Sequence, residues 1–339
     1  MPNCTYASIA RVLQAVHPAK SDATYALLRM LADGRVHSAG QLAVALGSTR
    51  AGITNRVHEV EALGLEVFKV RGRGYRLSGA IDLLRPEELG KRLSLLPWPF
   101  GVEILDECES TNSLLVSRAL AGAPHATVIA CERQTGGRGR RGNEWLSCLG
   151  GSLAFSLLWR FEQGAGALSG LSLAVAVGAA RAIDSFGVGI AVKWPNDLLL
   201  HGRKLGGILI EMNGESVGPS AAVIGVGVNV NLPGALLRRL PGAIDLAGCG
   251  SPGRTPLLAV LLEHIAAVLH QFSRAGFVPF RDEWQARHAW QGRRVTLRIA
   301  ERQVAEGAAI GVGEDGALLL RSDQGLQRFH SGELSLRPA

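Results

Sequence analysis

The chain has 339 residues, 47% hydrophobic and 19% charged, which at roughly 100–200 residues per domain predicts two or three packed domains and excludes wholesale disorder. Its formal net charge of +7, from 36 Lys and Arg against 29 Asp and Glu, points to an anionic partner without naming one. Five cysteines, odd in number and never spaced C-x-x-C, argue against a disulfide framework and a zinc site, so a reducing cytoplasm is expected.

Residues 1–21 lack clear periodicity and a continuous apolar run, so a flexible tail rather than a secretory signal is expected there. From Asp22 the pattern is helical, with Leu27, Leu28 and Leu31 on one side and Gly34 as the stop. Ser38 and Gln41 match a capping box, which opens a short helix through Leu46. Thr49 caps a third helix, whose apolar positions are Ile53, Val57, Val60 and Leu63. Three short helices with tight turns are a helix-turn-helix arrangement. A strand over Leu65–Val70, a turn over Arg71–Gly74 and a return strand over Tyr75–Leu77 then form a wing. Arg50, Thr54, Asn55, Arg56 and His58 lie off the third helix's apolar stripe, and Lys69, Arg71, Arg73 and Arg76 lie on the wing. These residue types suit DNA bases and phosphates, and residues 22–79 are expected to form a winged helix-turn-helix DNA-binding domain. The bland alternative is a small helical domain with a solvated basic hairpin.

A Pro-containing connection over Ile81–Pro99 leads into an α/β pattern expected to run over residues 80–288. After a strand at Val102–Leu105, Ser110 or Thr111 caps a helix over Ser113–Ala121, and that helix end suits an anion or a polar ligand head. A strand over Thr127–Cys131 feeds a loop, Gln134–Gly142, that carries four glycines and Arg138, Arg140 and Arg141, with Trp145 beyond it. Glycine lets the backbone approach a ligand, and arginine supplies charge and planar donors, a combination suited to an α-phosphate or an acyl phosphate. The pattern is neither a P-loop nor a dinucleotide fingerprint. Gly151–Trp159 reads as a strand and Ala167–Phe186 as a helix. The uncharged stretches Gln163–Ala180 and Ser216–Leu237 are broken by glycine, proline or asparagine, so both read as buried core elements rather than membrane spans.

A hairpin beyond residue 191 brings Lys193, Asn196 and Asp197 near Lys204, where two following glycines leave room for a ligand. A lysine there can neutralise phosphate and carboxylate oxygens during adenylation. Asp197 and Asn196 can hold Mg²⁺, orient Lys204 or simply make a surface turn, and Asn229 can meet a base or ribose or tie a strand end. Thr255 caps a long apolar helix through Phe272, and a shorter helix covers Pro279–His288. Residues 289–339 hold short strands at Val295–Ile299, Gly307–Val312, Ala317–Arg321 and Leu326–Phe329, a small SH3-like β-barrel.

Five motifs in this order carry a resemblance: Ser110 to Asn112, Gly137 to Gly142 with Trp145, Lys193 to Asp197, Lys204 with its glycines, and Gly227 to Asn229. The set resembles bacterial biotin protein ligases. With the winged helix in front, it resembles the bifunctional subclass that also represses the biotin operon. The resemblance implies a class II synthetase-like, biotin/lipoate ligase-like α/β domain. It also implies a two-step reaction with ATP, Mg²⁺ and biotin, through biotinyl-5′-AMP, to a lysine of a biotin carboxyl carrier protein. By motif, Ser110, Thr111, Asn112, Gln134, Arg138, Gly139, Arg140 and Lys204 fall on biotin, with Lys204, Arg138 and Arg140 as catalytic groups. Arg141, Trp145, Asn196 and Asn229 fall on the nucleotide. Operator DNA and a ligand-promoted homodimer are the other implied partners, and no membrane is. One departure is the pair Asn143 and Glu144, where the family often carries basic residues, which puts the loop's grip on pyrophosphate in question. A non-enzymatic biotin-sensing regulator is the competing reading, and a lipoate or octanoate ligase the nearer rival.

Overall fold

The computed structural model describes residues 16–18, 22–214, 218–250, 252–299, 302–330 and 334–338. Three helices, α1 (Ala23–Leu31), α2 (Ala39–Ala45) and α3 (Arg50–Ala62), lead into the hairpin of strands β2 (Val67–Val70) and β3 (Gly74–Leu77). The expected caps are present. Ser38 and Gln41 form a reciprocal capping box, and Thr49 accepts from the Gly52 N–H. Leu27, Leu28, Leu31, Leu42, Ile53 and Val60 close a core of their own, joined by Leu83 and Leu149 from the next domain.

Val16–Pro18, in the stretch expected to be a loose tail, forms strand β1, parallel to β4 at the edge of the large sheet. The rest of that stretch lies outside the described residues. A second correction concerns the connection, which contains helix α4 (Pro86–Leu93). Pro86 opens the helix, Glu87 and Glu88 occupy its first turn, Lys91 and Arg92 its last, and Leu89 and Leu93 are buried. Proline at the first helical position and this charge order both favour a helix.

The central sheet has eight strands in the order β1-β4-β5-β6-β10-β9-β8-β7. They are β4 (Gly101–Cys108), β5 (Thr127–Gln134), β6 (Ser152–Phe161), β7 (Ala191–Lys193), β8 (Asp197–Leu200), β9 (Arg203–Gly214) and β10 (Ser220–Asn229). Only β1, β4 and β5 run parallel among these pairings; the rest are antiparallel. Helix α5 (Thr111–Leu120) covers one face through Leu115, which meets Ile129, Leu158 and Val223. Helices α6 (Leu171–Asp184) and α8 (Arg254–Ala275) pack on the other, against Leu153, Phe155 and Leu157. Burial on both faces explains why β6 is apolar almost throughout. Both stretches weighed as membrane spans contribute core elements, α6 and β10. Helix α8, long and apolar enough by composition to cross a bilayer, has most of its apolar side chains buried in this core.

Thr255 does not cap α8. The cap position is Gly253, and the buried Thr255 hydroxyl accepts the Arg85 N–H at 3.0 Å. Beside it a buried ion pair, Arg254 with Glu132 at 2.5 Å, has both side chains at 0% exposure. Arg254 donates to the Asp82 carbonyl at 2.8 Å, its backbone N–H reaches the Asp82 carboxylate at 2.6 Å, and Glu132 accepts the Leu84 N–H at 2.7 Å. The segment joining the two domains is thereby clamped from α8 and β5.

After a short helix α7 (Gly234–Arg239) and α9 (Arg281–Arg287), the chain ends in a five-stranded antiparallel sheet. Its strands are β11 (Arg294–Ile299), β12 (Arg302–Val312), β13 (Leu318–Ser322), β14 (Gly325–Phe329) and β15 (Leu334–Pro338), the last not anticipated. Val295, Leu297 and Leu318 belong to the same core as the central domain, and the buried Trp194 donates to the Gly316 carbonyl at 3.2 Å.

Candidate active site

Three parts of the central domain meet at a cleft of about 680 Å³. The first is the start of α5. Ser110 caps the helix, and Thr111 donates to Gln134 Oε1 through its backbone N–H at 2.8 Å and its hydroxyl at 3.1 Å. Asn112 donates to the Leu209 carbonyl at 3.3 Å and to Glu211 Oε2 at 2.8 Å, while its Oδ1 accepts from Ser156 at 2.6 Å. A Cβ on Gly225 would come within 2.2 Å of Asn112 Oδ1, so a glycine in β10 is required to seat this amide. With both amide donors committed inside the protein, Asn112 shapes the wall rather than offering free donors. Ser156 and Glu211, which complete this arrangement, carry no local signal in the sequence.

The second part is the arginine-glycine loop, a tight hairpin in which Gly139 N–H reaches the Asn143 carbonyl at 2.7 Å and Trp145 N–H the Gly137 carbonyl at 2.8 Å. Arg141, at φ 59°, and Gly142, at 72°, turn it. Arg138 Nη2 lies 2.9 Å from both carboxylate oxygens of Glu211. Arg140 reaches Asn196 Oδ1 at 3.5 Å. Burial and the neighbouring Arg141 charge lower the Arg140 guanidinium from its ordinary value, with Asp197 opposing them; an arginine so perturbed still stays charged. Trp145 lies against β10, where a Cβ on Gly227 would stand 2.6 Å from its ring.

The third part is the lysine pair. Asp197 Oδ1 lies 2.7 Å from Lys204 Nζ and Oδ2 lies 3.1 Å from Lys193 Nζ. Burial alone pushes the Asp197 carboxyl up, but the two ammonium groups outweigh it and hold the group below its ordinary range. Burial lowers Lys193, against the pull of Asp197. Asn196 is locked to β9, donating to the Ile208 carbonyl at 2.6 Å and accepting the Ile208 N–H at 3.0 Å. Both Asp197 oxygens are therefore engaged, and no group of three His, Cys, Asp or Glu side chains able to hold a metal occurs among the described residues. These residues do not fit a magnesium site built by the protein. Of the roles foreseen for Asp197, its geometry favours orienting Lys204.

Asn229 is buried, donates to the Ile244 carbonyl at 3.0 Å and does not line the cleft, so it ties a strand end rather than facing a nucleotide. Ile244 in turn donates to the Lys204 carbonyl at 2.9 Å, and the Lys204 N–H reaches Gly242 at 2.7 Å. Arg239 to Ala243 and Leu334 to Arg337 of β15 form the remaining walls. Neither stretch has a sequence pattern that marks it.

On the winged helix, Arg50 and Asn55 are exposed, Thr54 and Arg56 half-buried, and Lys69, Arg71 and Arg73 exposed on the hairpin. Thr54 lies 3.1 Å from the Tyr75 hydroxyl, which links the third helix to the wing. The opposite side meets the central domain: Tyr25 donates to Glu107 at 3.2 Å and Arg29 to Asp106 at 2.5 Å. Those carboxylates sit on β4, a few residues before Ser110.

A winged helix-turn-helix is thus joined to an α/β domain whose cleft is lined by cations fixed on carboxylates, the arrangement expected of a ligase with a nucleic-acid-binding module. The comparisons agree. Residues 106–229 match the model of the Biotin/lipoate A/B protein ligase family, 292–337 that of the biotin protein ligase C-terminal domain, and 24–76 an HTH domain. The bifunctional ligase/repressor BirA of Escherichia coli is 35% identical, over 92% of this chain and 97% of that protein. The biotin–[acetyl-CoA-carboxylase] ligase of Paracoccus denitrificans is 34% identical, over 68% of this chain and 98% of that protein. The solved structure of the biotin protein ligase from Aquifex aeolicus in complex with biotin and ATP superposes with a TM-score of 0.60 at 28% identity, over 70% of this chain and 99% of that one. The chain belongs to the biotin protein ligase family.

Proposed function

We propose that the chain activates biotin with ATP and transfers it to a lysine of a biotin carboxyl carrier protein. In the first step a biotin carboxylate oxygen attacks the α-phosphorus. The new P–O bond forms as the bond to the pyrophosphate oxygen breaks, giving biotinyl-5′-AMP and pyrophosphate. Two anions must meet, so positioning and charge neutralisation matter more than a protein nucleophile. Lys204, held by Asp197, neutralises the reacting oxygens. Ser110, Thr111, Gln134, Arg138 and Gly139 hold biotin, with Asn112 shaping their wall. Arg140, Arg141, Trp145 and Asn196 face the adenylate. ATP arrives as its magnesium complex, in which the metal screens phosphate charge. In the second step the neutral carrier amine attacks the acyl carbon, AMP leaves, and the amine proton passes to solvent.

The observation that carries this reading is the pair Lys193 and Lys204 on one carboxylate, beside the arginine-glycine hairpin. A regulator that only senses biotin needs neither. The test is incubation with labelled biotin, MgATP and a carrier domain; labelled carrier is expected, and its absence with an intact carrier overturns the reading.

The winged helix binds operator DNA, and the chain thereby acts as a biotin-responsive repressor in the cytoplasm. One module makes too few contacts for a specific site, so two copies on neighbouring half-sites are required. Biotinyl-AMP that favours a homodimer must bind that dimer more tightly, by linkage. Operator titration with and without biotinyl-AMP, alongside sedimentation, is expected to show tighter binding and dimer together; no change in either rejects the switch.

A further inference from the structure

Glu211 serves two walls of the cleft with one carboxylate. Its Oε2 accepts from Asn112 at the start of α5 at 2.8 Å, and both its oxygens lie 2.9 Å from Arg138 in the arginine-glycine hairpin. Glu211 itself does not line the cleft, so it acts on a ligand only through these two residues. The two dependences differ. Asn112 keeps the Leu209 carbonyl and Ser156 if Glu211 is removed. Arg138 has no other side-chain partner among the described residues. The hairpin's backbone hydrogen bonds run within residues 137–145 and shape it, Arg140 reaches across to Asn196 at 3.5 Å, and the Arg138 pair with Glu211 is the charged tie on the side of α5 and β9.

We propose that Glu211 is a positioning residue, a latch that holds Arg138 and its hairpin against the start of α5 and so sets how tightly biotin and its adenylate are retained. The proposal rests on the functional reading above. The paired side chains are 47% and 31% exposed, a setting in which an ion pair adds little to stability. Removing it should therefore leave the fold intact and loosen the loop. An exposed pair of this kind corresponds to at most about a fivefold change in an equilibrium.

The experiment compares wild type, Glu211→Ala, Glu211→Gln, Arg138→Ala and the Glu211→Ala/Arg138→Ala double variant in the full chain. With labelled biotin and MgATP, Glu211→Ala should raise the KM for biotin and shorten the lifetime of the bound adenylate, each by up to about fivefold, with kcat for adenylation within about twofold. Glu211→Gln, which keeps an acceptor, should fall between. The double variant should be no worse than Arg138→Ala alone. Without any ligand, trypsin should cut the hairpin arginines faster in Glu211→Ala than in wild type. Wild-type KM, adenylate lifetime and cleavage rate in Glu211→Ala would overturn the latch, as would additive losses in the double variant or a loss confined to kcat. Faster cleavage in a protein that fails to adenylate biotin at all would instead reject the functional reading and leave the latch standing.

Discussion

Cations on the winged helix and cations in the cleft live under different rules. Arg50, Lys69, Arg71 and Arg73 are exposed and make no ion pair among the described residues. Arg138, Lys193 and Lys204 are each held by a carboxylate at 3.1 Å or less. A solvated cation can follow a phosphate over several ångströms and exchanges it for a counterion, so its geometry is forgiving and its effect depends on salt. A pinned cation has its direction set before the ligand arrives, which is what a reaction between two anions requires. These two sets of cations therefore divide into a mobile one suited to a polymer and a fixed one suited to a small molecule.

The sharpest way to break this contrast is Lys204→Ala, expected to slow biotinyl-adenylate formation by about 10²–10³-fold while ligand-free DNA binding stays at wild type. Pyrophosphate release in a single turnover reads it, and near-normal synthesis would reject the fixed role of Lys204. Next in size is a matched set of Arg→Lys changes, at Arg138 and Arg140 in the cleft and at Arg71 and Arg73 on the wing. Loss of planar donors should shorten adenylate retention about tenfold or more in the first pair and leave operator affinity unchanged in the second. Equal sensitivity of both pairs would erase the distinction. Arg71→Ala and Arg73→Ala should each lower operator affinity alike across sequences and reduce the slope of log K against log salt by about 1, with adenylation intact; an unchanged slope places that arginine off the phosphates.

The smallest effect extends the contrast to histidine. His288 is 4% exposed, stacked on Trp284 at 4.7 Å, and burial pushes it down to about 4. Since its folded value lies below the unfolded one, the unfolded chain binds more protons between about pH 6.5 and 4, and stability should decline as pH falls through that window. His288→Phe should lose this slope, so that its Tm relative to wild type rises as pH falls from about 6.5 to 4. An identical pH profile for both proteins would show that His288 does not carry it.

What is legible in the sequence is whatever a few neighbours decide. The capping box of Ser38 and Gln41, the cap at Ser110 and the hairpin placing Lys193, Asp197 and Lys204 together all follow from local chemistry. Helix α4 escapes because Pro86 reads as a connection when it is in fact a favourable first residue. Glu211 escapes for a different reason. Its partners lie 99 and 73 residues away, and nothing in β9 distinguishes it from a solvated strand position. Asn229 and Thr255 were readable as capping or binding types, but which partner satisfies each is set by Ile244 and Arg85 from other segments. The walls from Arg239 to Ala243 and from β15 depend on tertiary packing alone.

The buried pair of Arg254 and Glu132 has a consequence for how the molecule is assembled on the ribosome. The winged helix closes most of its core from residues before 78, so it can form as one of the first units to emerge. Its seat cannot. Asp82, at the junction, is bonded by Arg254, 172 residues further along, and Glu132 must already be in its strand to receive that arginine. Until α8 is synthesised the DNA-binding unit rests on the half-built sheet through Tyr25, Arg29, Leu83 and Leu149, without the clamp on its junction. The module made first receives one of its ties nearly last, so a substitution at Arg254, far from the wing, should loosen how the reading head is seated.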